Sequence, residues 1–250
     1  MTRVALLRIL VLVAAALAVE WLCRIGIINR FTMQPPSEIM RDLYRILSSG
    51  KFNDAIAATL LNSATAFLMS VTIGIAVAVV IHRRKLAREA LDPLFATYYA
   101  IPVIAFYPLL IMLLGVGDAP KIMIAFMLGV IAVIVNTLNG LDRVPRVLVK
   151  TARVVQMSPS ETATRVTLPY AMPYMLTGVK FAVAYSLIGI IGSEFILSSN
   201  GIGFEISFAY NNYDNSTMYP LIVLVLVVSI TVNMMLAWWE KILLARRGLA

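Results

Sequence analysis

Histidine and cysteine are almost absent from this chain of 250 residues: one His, at 82, and one Cys, at 23. A lone cysteine excludes an intrachain disulfide, and so sparse a donor set argues against a zinc site or a His-based catalytic centre. Charge is scarce too, since Asp, Glu, Lys and Arg make up 14% of the residues; a soluble domain carries roughly a quarter. A phosphate-binding loop is also missing. Gly50-Lys51-Phe52 lacks the first glycine and the hydroxyl residue of G-x-x-x-x-G-K-[ST], whose amides would cradle phosphate. No paired-carboxylate or Ser-His-Asp arrangement has support. The expectation is a non-catalytic chain with no metal site and no cofactor of its own.

What fills the sequence instead is apolar: 60% of it is hydrophobic and the mean hydropathy is +0.87. Crossing a bilayer takes about 20 apolar residues, and six stretches qualify, near Val4–Leu22, Ala55–Ile81, Leu94–Leu114, Ile122–Leu138, Gly178–Leu197 and Tyr219–Leu236. The fold class expected is an all-α membrane protein with six transmembrane helices in one domain over 1–250. The first stretch has two readings. Its basic start and the small residues Ala16 and Ala18 suit a cleaved signal peptide; the apolar run through Val19, Trp21 and Leu22 favours a retained anchor over 1–23.

The net charge of +8 is read as orientation, not nucleic-acid binding. Numbering the sides by alternation puts Arg3 and Arg8, Arg83 to Arg88, Arg143 to Arg165 and Lys241 to Arg247 on one side, while 198–218 has no Lys or Arg. Positive residues accumulate in the cytoplasm, so both termini are expected there, in a bacterial-type inner membrane. The loop Arg24–Asp54 carries bases yet falls outside; its length and its acids Glu38, Asp42 and Asp54 offset them.

The longest internal loop, 139–177, reads as helical. Pro145 to Val155 holds no breaker. Ser158-Pro159-Ser160-Glu161 is a capping box with proline at the first helical position, and the helix it starts is expected to stop before Pro169, because a residue ahead of proline leaves the α region. Pro173 is a second punctuation mark. Local physics leaves two uses open for such a rigid polar helix: a surface connector, or a dock for a partner.

"TARVVQMSPSETATRVTLPYAMPYMLTGVK" resembles the cytoplasmic loop of ABC-importer permeases, with the signature E-A-A, three residues, Gly, nine residues, Ile-x-Leu-Pro. Ala152 takes the second Ala, Val166 the Ile, and Leu168-Pro169 close it. Lys150, Thr151 and Gln156 depart from the signature's Glu, Ala and Gly. "AIPVIAFYPLLIMLLGVGDAPKI" and "GSEFILSSNGIGFEI" resemble the third-span and fifth-span segments of permeases for sulfonates, taurine and nitrate. The ordered matches cover most of 55–244, the expected core. The resemblance implies a type I importer permease fold, a coupling helix within 139–177, and a homodimer with the pathway between its copies. It also implies an ATP-binding subunit on the cytoplasmic face, carrying ATP and Mg, a substrate-binding protein outside, and a small, anionic solute as cargo.

Residue class and resemblance together nominate Arg153, Ser158, Pro159, Glu161, Thr162 and Arg165 for contact with the ATP-binding subunit. Glu194, Pro102 and Pro108 are nominated for the pathway or its gate, and Asn200, Gly201 and Gly203 for the external face. Against Glu194 as a gate stands a plain packing or interfacial role. Asn136 and Asn233 are expected to bond between helices, Lys180 to reach for the interface, and Trp238, Trp239 and Lys241 to anchor there. A self-sufficient secondary transporter or channel is the rival reading, with Glu194 as its support.

Overall fold

A computed structural model describes residues 3–245; Arg246 and Arg247, two of the bases used for orientation, lie outside the described residues. Among the described residues every regular element is helical, which is what hydrocarbon demands of a chain that must satisfy its backbone groups internally. Helix α1 spans Arg3–Arg24, α2 Pro36–Ser49, α3 Asn53–His82, α4 Lys85–Tyr98, α5 Tyr107–Leu114, α6 Asp118–Asp142, α7 Arg146–Val154, α8 Pro159–Thr162, α9 Leu168–Leu197, α10 Ile202–Asn211 and α11 Asn215–Ala245. Helix α3, α6, the run containing α9, and α11 are each long and apolar enough to cross a membrane; α4 and α5 together make a broken fifth candidate. The first apolar stretch is α1, whose side chains from Leu10 to Ala18 are exposed. Glu20 accepts hydrogen bonds from the Ser37 amide at 3.0 Å and hydroxyl at 2.7 Å, fastening the end of α1 to the start of α2.

Helix α6 is the centre of the molecule, packing most extensively on α9 and then on α3. Its Ile124, Ala125, Val133 and Leu138 have no exposed surface. Small residues set the spacing: a Cβ added to Gly189 of α9 would stand 2.5 Å from the Ala125 backbone. Helix α11 is far more open, with Met234, Met235 and Trp238 at least 65% exposed, as a surface facing lipid requires.

Several expectations need correction. The third stretch is not one straight helix: the chain breaks after Tyr98 and bends by 89° before its second half, as a broken span or a re-entrant loop does. Pro102 precedes a 3-10 turn at Val103–Phe106, and Pro108 sits in the first turn of α5, where its missing N–H breaks no bond. The loop 24–54 holds α2, and the loop 198–218 holds α10; both are too short to have registered as apolar runs. Asn136 and Asn233 bond within their own helices, to the Ala132 and Ser229 carbonyls at 2.8 and 3.0 Å. Lys180 is not left to the interface, because Glu240 of α11 pairs with it.

The helix begun at Ser158 does not stop before Pro169. A π-helical turn, Ala163–Thr167, carries it into α9, and Leu168, the residue ahead of the proline, keeps helical angles of φ −64° and ψ −45°. Pro169 falls in the first turn of α9, directly after this wider turn, and widened turns are found where a helix accommodates a local irregularity. Pro173 lies inside α9, with Thr177 donating to its carbonyl at 3.2 Å.

Candidate functional site

Two places gather the polar residues of this apolar chain, one at each end of the α3–α6–α9 core. At the first, α7 closes with a Schellman-type turn. The Met157 amide donates to the Ala152 carbonyl at 2.9 Å and the Gln156 amide to the Arg153 carbonyl at 3.0 Å, with Gln156 itself at φ +55°. Glycine is the usual residue for this left-handed position. Gln156, which stands where the signature has glycine, takes the left-handed conformation itself, so the turn closes without a glycine.

Immediately after it, the capping box forms as the spacing predicts. Ser158 Oγ accepts from the Glu161 amide at 3.2 Å, and Glu161 Oε2 accepts from the Ser158 amide at 3.0 Å and hydroxyl at 2.9 Å. These bonds from the Ser158 amide and hydroxyl, with Arg165 nearby, hold the Glu161 carboxyl below its ordinary value of 4.5. Thr162 Oγ1 donates to the Ser158 carbonyl at 3.0 Å. Arg153, Ser158, Pro159 and Arg165 are exposed, Glu161 and Thr162 half-buried. The six nominated residues therefore lie on one continuous, hydrogen-bonded segment. That segment is joined to the core: Arg143 at the end of α6 donates to Tyr174 Oη of α9 at 2.9 Å and sits over its ring.

From Pro159 through the π turn to Leu197 the path is helical without a break, a contour of roughly 55 Å at about 1.5 Å per residue. At its far end lies the second polar group. Glu194 has no exposed surface. Its carboxylate accepts from Thr59 Oγ1 of α3 at 2.8 Å and from the Gly203 amide of α10 at 3.0 Å, while Thr59 Oγ1 accepts from the Ile202 amide at 2.8 Å. One carboxylate thus ties three helices together. Gly201 and Gly203 are what allow it. A Cβ on Gly201 would stand 2.1 Å from the carboxyl group, and one on Gly203 would stand 2.4 Å from the Ile191 carbonyl. Gly201 also takes φ +111°, which a side chain disfavours. Of the three residues nominated for the external face, Asn200 is exposed while Gly201 and Gly203 are buried.

Beside this lock lies a group the sequence reading passed over. Lys121 of α6, 2% exposed, pairs with Asp118 at 2.6 Å and reaches Ser198 Oγ at 3.4 Å; Asn62 of α3 donates to Asp118 at 2.9 Å. They border a cleft of 220 Å³ that Tyr107 and Asn200 also line, and Tyr107 Oη donates to the Leu197 carbonyl at 3.0 Å. Asp118 and Lys121 stand three apart at the head of an apolar run, a pattern that was legible as a helix-start ion pair. Thr59 and Asn62 carried no signal, since lone polar residues in an apolar helix look alike until a partner is placed beside them. Pro102 and Pro108 are exposed at the bend and touch neither polar group through any hydrogen bond described.

Residues 70–248 match the family described as binding-protein-dependent transport system inner membrane component. The chain belongs to that family. It is the membrane-spanning, non-catalytic permease subunit of an ATP-binding-cassette importer. The nitrate import permease protein NrtB of Leptolyngbya laminosa is 32% identical over 178 residues, 71% of this chain and 64% of that protein. The bicarbonate transport system permease protein CmpB of Synechococcus elongatus is 28% identical, covering 86% of this chain and 79% of its own. The taurine permease protein TauC of Escherichia coli is 27% identical over 78% of this chain and 74% of its own. The solved structures agree on the fold. An inward-facing MetNI methionine ABC transporter superposes with a TM-score of 0.66 at 17% identity, over 76% of this chain and 94% of that one. An amino acid ABC transporter with histidines gives 0.62 at 13% identity, over 82% of this chain and 97% of that one.

Proposed function

We propose that this permease works as a homodimer, receives a small solute from an external binding protein, and moves it inward when an ATP-binding subunit acts on α8. The end holding α8 is cytoplasmic and the Glu194 end external, both termini being inside. Arg153, Ser158, Pro159, Glu161, Thr162 and Arg165 form the surface that the ATP-binding subunit grips, and ATP and Mg stay with that subunit. Asn200 meets the binding protein directly, with Gly201 and Gly203 shaping the turn beneath it. The relatives' names point to nitrate, bicarbonate and taurine, so the cargo class is a small polar or anionic solute.

The observation that carries this reading is continuity. The capping box makes the start of α8 rigid, the π turn passes it into α9 without a joint, and α9 ends at the Glu194 lock. Displacing α8 therefore moves the residue that holds α3 and α10 together at the opposite face. Glu194 acts as a gate in this scheme by keeping that face closed until the lever moves, and the bend at Pro102 and Pro108 flanks the path it opens.

The test is purification from native membranes in mild detergent, with mass spectrometry of what accompanies the protein. A near-equimolar ATP-binding chain is expected, and scrambling 158–165 should remove it while leaving membrane insertion intact. A preparation without such a chain across several detergents would overturn the reading in favour of a self-sufficient transporter.

A further inference from the structure

Helix α2 presents three different faces. Ile39, Asp42 and Leu43 are buried, and Leu43 belongs to an apolar cluster with Ile202 and Ile206 of α10 and Leu221 and Leu224 of α11. Met40, Tyr44 and Leu47 stand at i, i+4 and i+7, which places them in one stripe along the helix; they are 57, 76 and 48% exposed. Arg41 and Arg45 form a second exposed row beside that stripe. A row of large apolar side chains flanked by bases is the pattern of a helix that lies in a membrane surface.

Position decides what covers the stripe. Helix α2 packs on α11 and α1, the helices with long rows of exposed apolar side chains, so it sits at the lipid edge of the bundle. Its cluster with Leu221 and Leu224 sets the depth. They stand six and nine residues into α11, about 9 and 14 Å along it at about 1.5 Å per residue, past the polar start Asn215-Ser216-Thr217. Interfacial helices bury their apolar face to a similar depth, roughly 5–10 Å into the headgroup and acyl boundary. The bases fit the same surface. Segment 24–54 has a net charge of +2, an excess that the gathering of bases at the opposite end of the molecule does not explain. Arg24 pairs with Glu20, Arg30 with Glu38 and Arg45 with Asp42, whereas Arg41 has no carboxylate partner among the described residues. Anionic lipid phosphates supply the missing counter-charge, and each base near such a surface favours binding about five-fold. A second copy docked here about a two-fold axis would instead set the basic row against itself.

We propose that α2 is an interfacial helix docked on an anionic lipid surface: Met40, Tyr44 and Leu47 sink into the acyl boundary of the leaflet at the Glu194 end, and Arg41 and Arg45 bind headgroup phosphates there. Through Leu43 this seat reaches α10, whose first amides, those of Ile202 and Gly203, take part in the Glu194 lock. The lipid surface thus braces the helix that the lock holds. The assignment needs a membrane protein and not an importer.

Cys23 is the only cysteine, so Cys23→Ala combined with Tyr44→Cys, Leu47→Cys or Ser48→Cys accepts a single nitroxide spin label. The labelled protein is reconstituted in vesicles of phosphatidylglycerol and phosphatidylcholine. Electron paramagnetic resonance then reads collisions with oxygen, which concentrates in lipid, and with a nickel chelate, which stays in water. The oxygen-to-nickel ratio for Tyr44→Cys and Leu47→Cys should exceed that for Ser48→Cys, on the basic side of the helix, by about five-fold or more. Leaving out phosphatidylglycerol, or adding Arg41→Gln, should lower the ratio for Tyr44→Cys about two-fold as headgroup attraction is lost. Ratios no higher than that of Ser48→Cys would mean that the stripe faces water. Few collisions with either reagent would mean that a second copy or another protein covers it. Either result overturns the proposal. So does a ratio indifferent both to the anionic lipid and to Arg41, which would leave an apolar contact with no headgroup site.

Discussion

Gln156 shows how much a single dihedral angle decides. The signature glycine is replaced, yet the turn survives because the Met157 and Gln156 amides still close the last turn of α7. A side chain held at φ +55° costs about 1–2 kcal/mol, partly offset by the entropy glycine would lose on folding. Gln156→Gly should therefore raise stability by about 0.5–1 kcal/mol, read as a higher melting temperature in detergent, with the ATP-binding subunit retained. Glu161 is the titratable counterpart. Its carboxyl is held below 4.5 in the folded protein, so its stabilisation is present at neutral pH and fades as pH falls below that ordinary value. Retention of the ATP-binding subunit should weaken on acidification below about pH 4.5, and Glu161→Gln should flatten that part of the profile. Composition and spacing were enough to read the capping box, because both partners lie within one turn. They could not reveal that Gln156 would accept a glycine's conformation.

Elements carry the longer-range chemistry. Lys121 is 2% exposed while its partner Asp118 is 54% exposed, so the two halves of this ion pair are not equivalent. Removing Asp118 leaves a buried ammonium whose remaining described hydrogen-bond partner is Ser198, with the Glu194 carboxylate its remaining electrostatic partner, and breaking a buried pair in this way costs about 3–5 kcal/mol. Removing Lys121 leaves a half-exposed carboxylate still bonded to Asn62. Thermal melts should therefore place Asp118→Ala well below Lys121→Met; equal losses would mean that the pair, and not the buried charge, dominates. The same asymmetry explains what the residue pattern showed. A helix-start pair three apart was visible in Asp118 and Lys121, whereas Thr59 and Glu194 meet across 135 residues of sequence, and Thr59 and Ile202 across 143, which leaves no local trace. Pro169 misled because the pre-proline preference is a bias that the surrounding fold can override: Leu168 keeps α-helical angles with a proline after it.

For the whole molecule the prediction concerns sidedness. With Cys23 replaced by Ala, Ser158→Cys should react with a membrane-impermeant maleimide only in inside-out vesicles, and Asn200→Cys only in right-side-out ones. The opposite pattern would reverse the topology drawn from the arginines. At this scale the central feature is the helical path from α8 to Glu194, because it joins two polar ends of a largely apolar bundle.

The sequence by itself determined the membrane class, the apolar runs, the clustering of bases between alternate runs and the capped helix at Ser158. Each of these depends on composition or on residues within a few positions of one another, where local physics is sufficient. Only the tertiary structure decided that the third run is bent, that α8 and α9 are one path, and that Glu194 is a lock needing Gly201 and Gly203. It alone also revealed that α2 turns Leu43 towards α10 and α11 and leaves Met40, Tyr44 and Leu47 exposed. Those facts turn on which helices lie side by side, and packing among apolar surfaces that all look alike in sequence settles that only when the chain has folded.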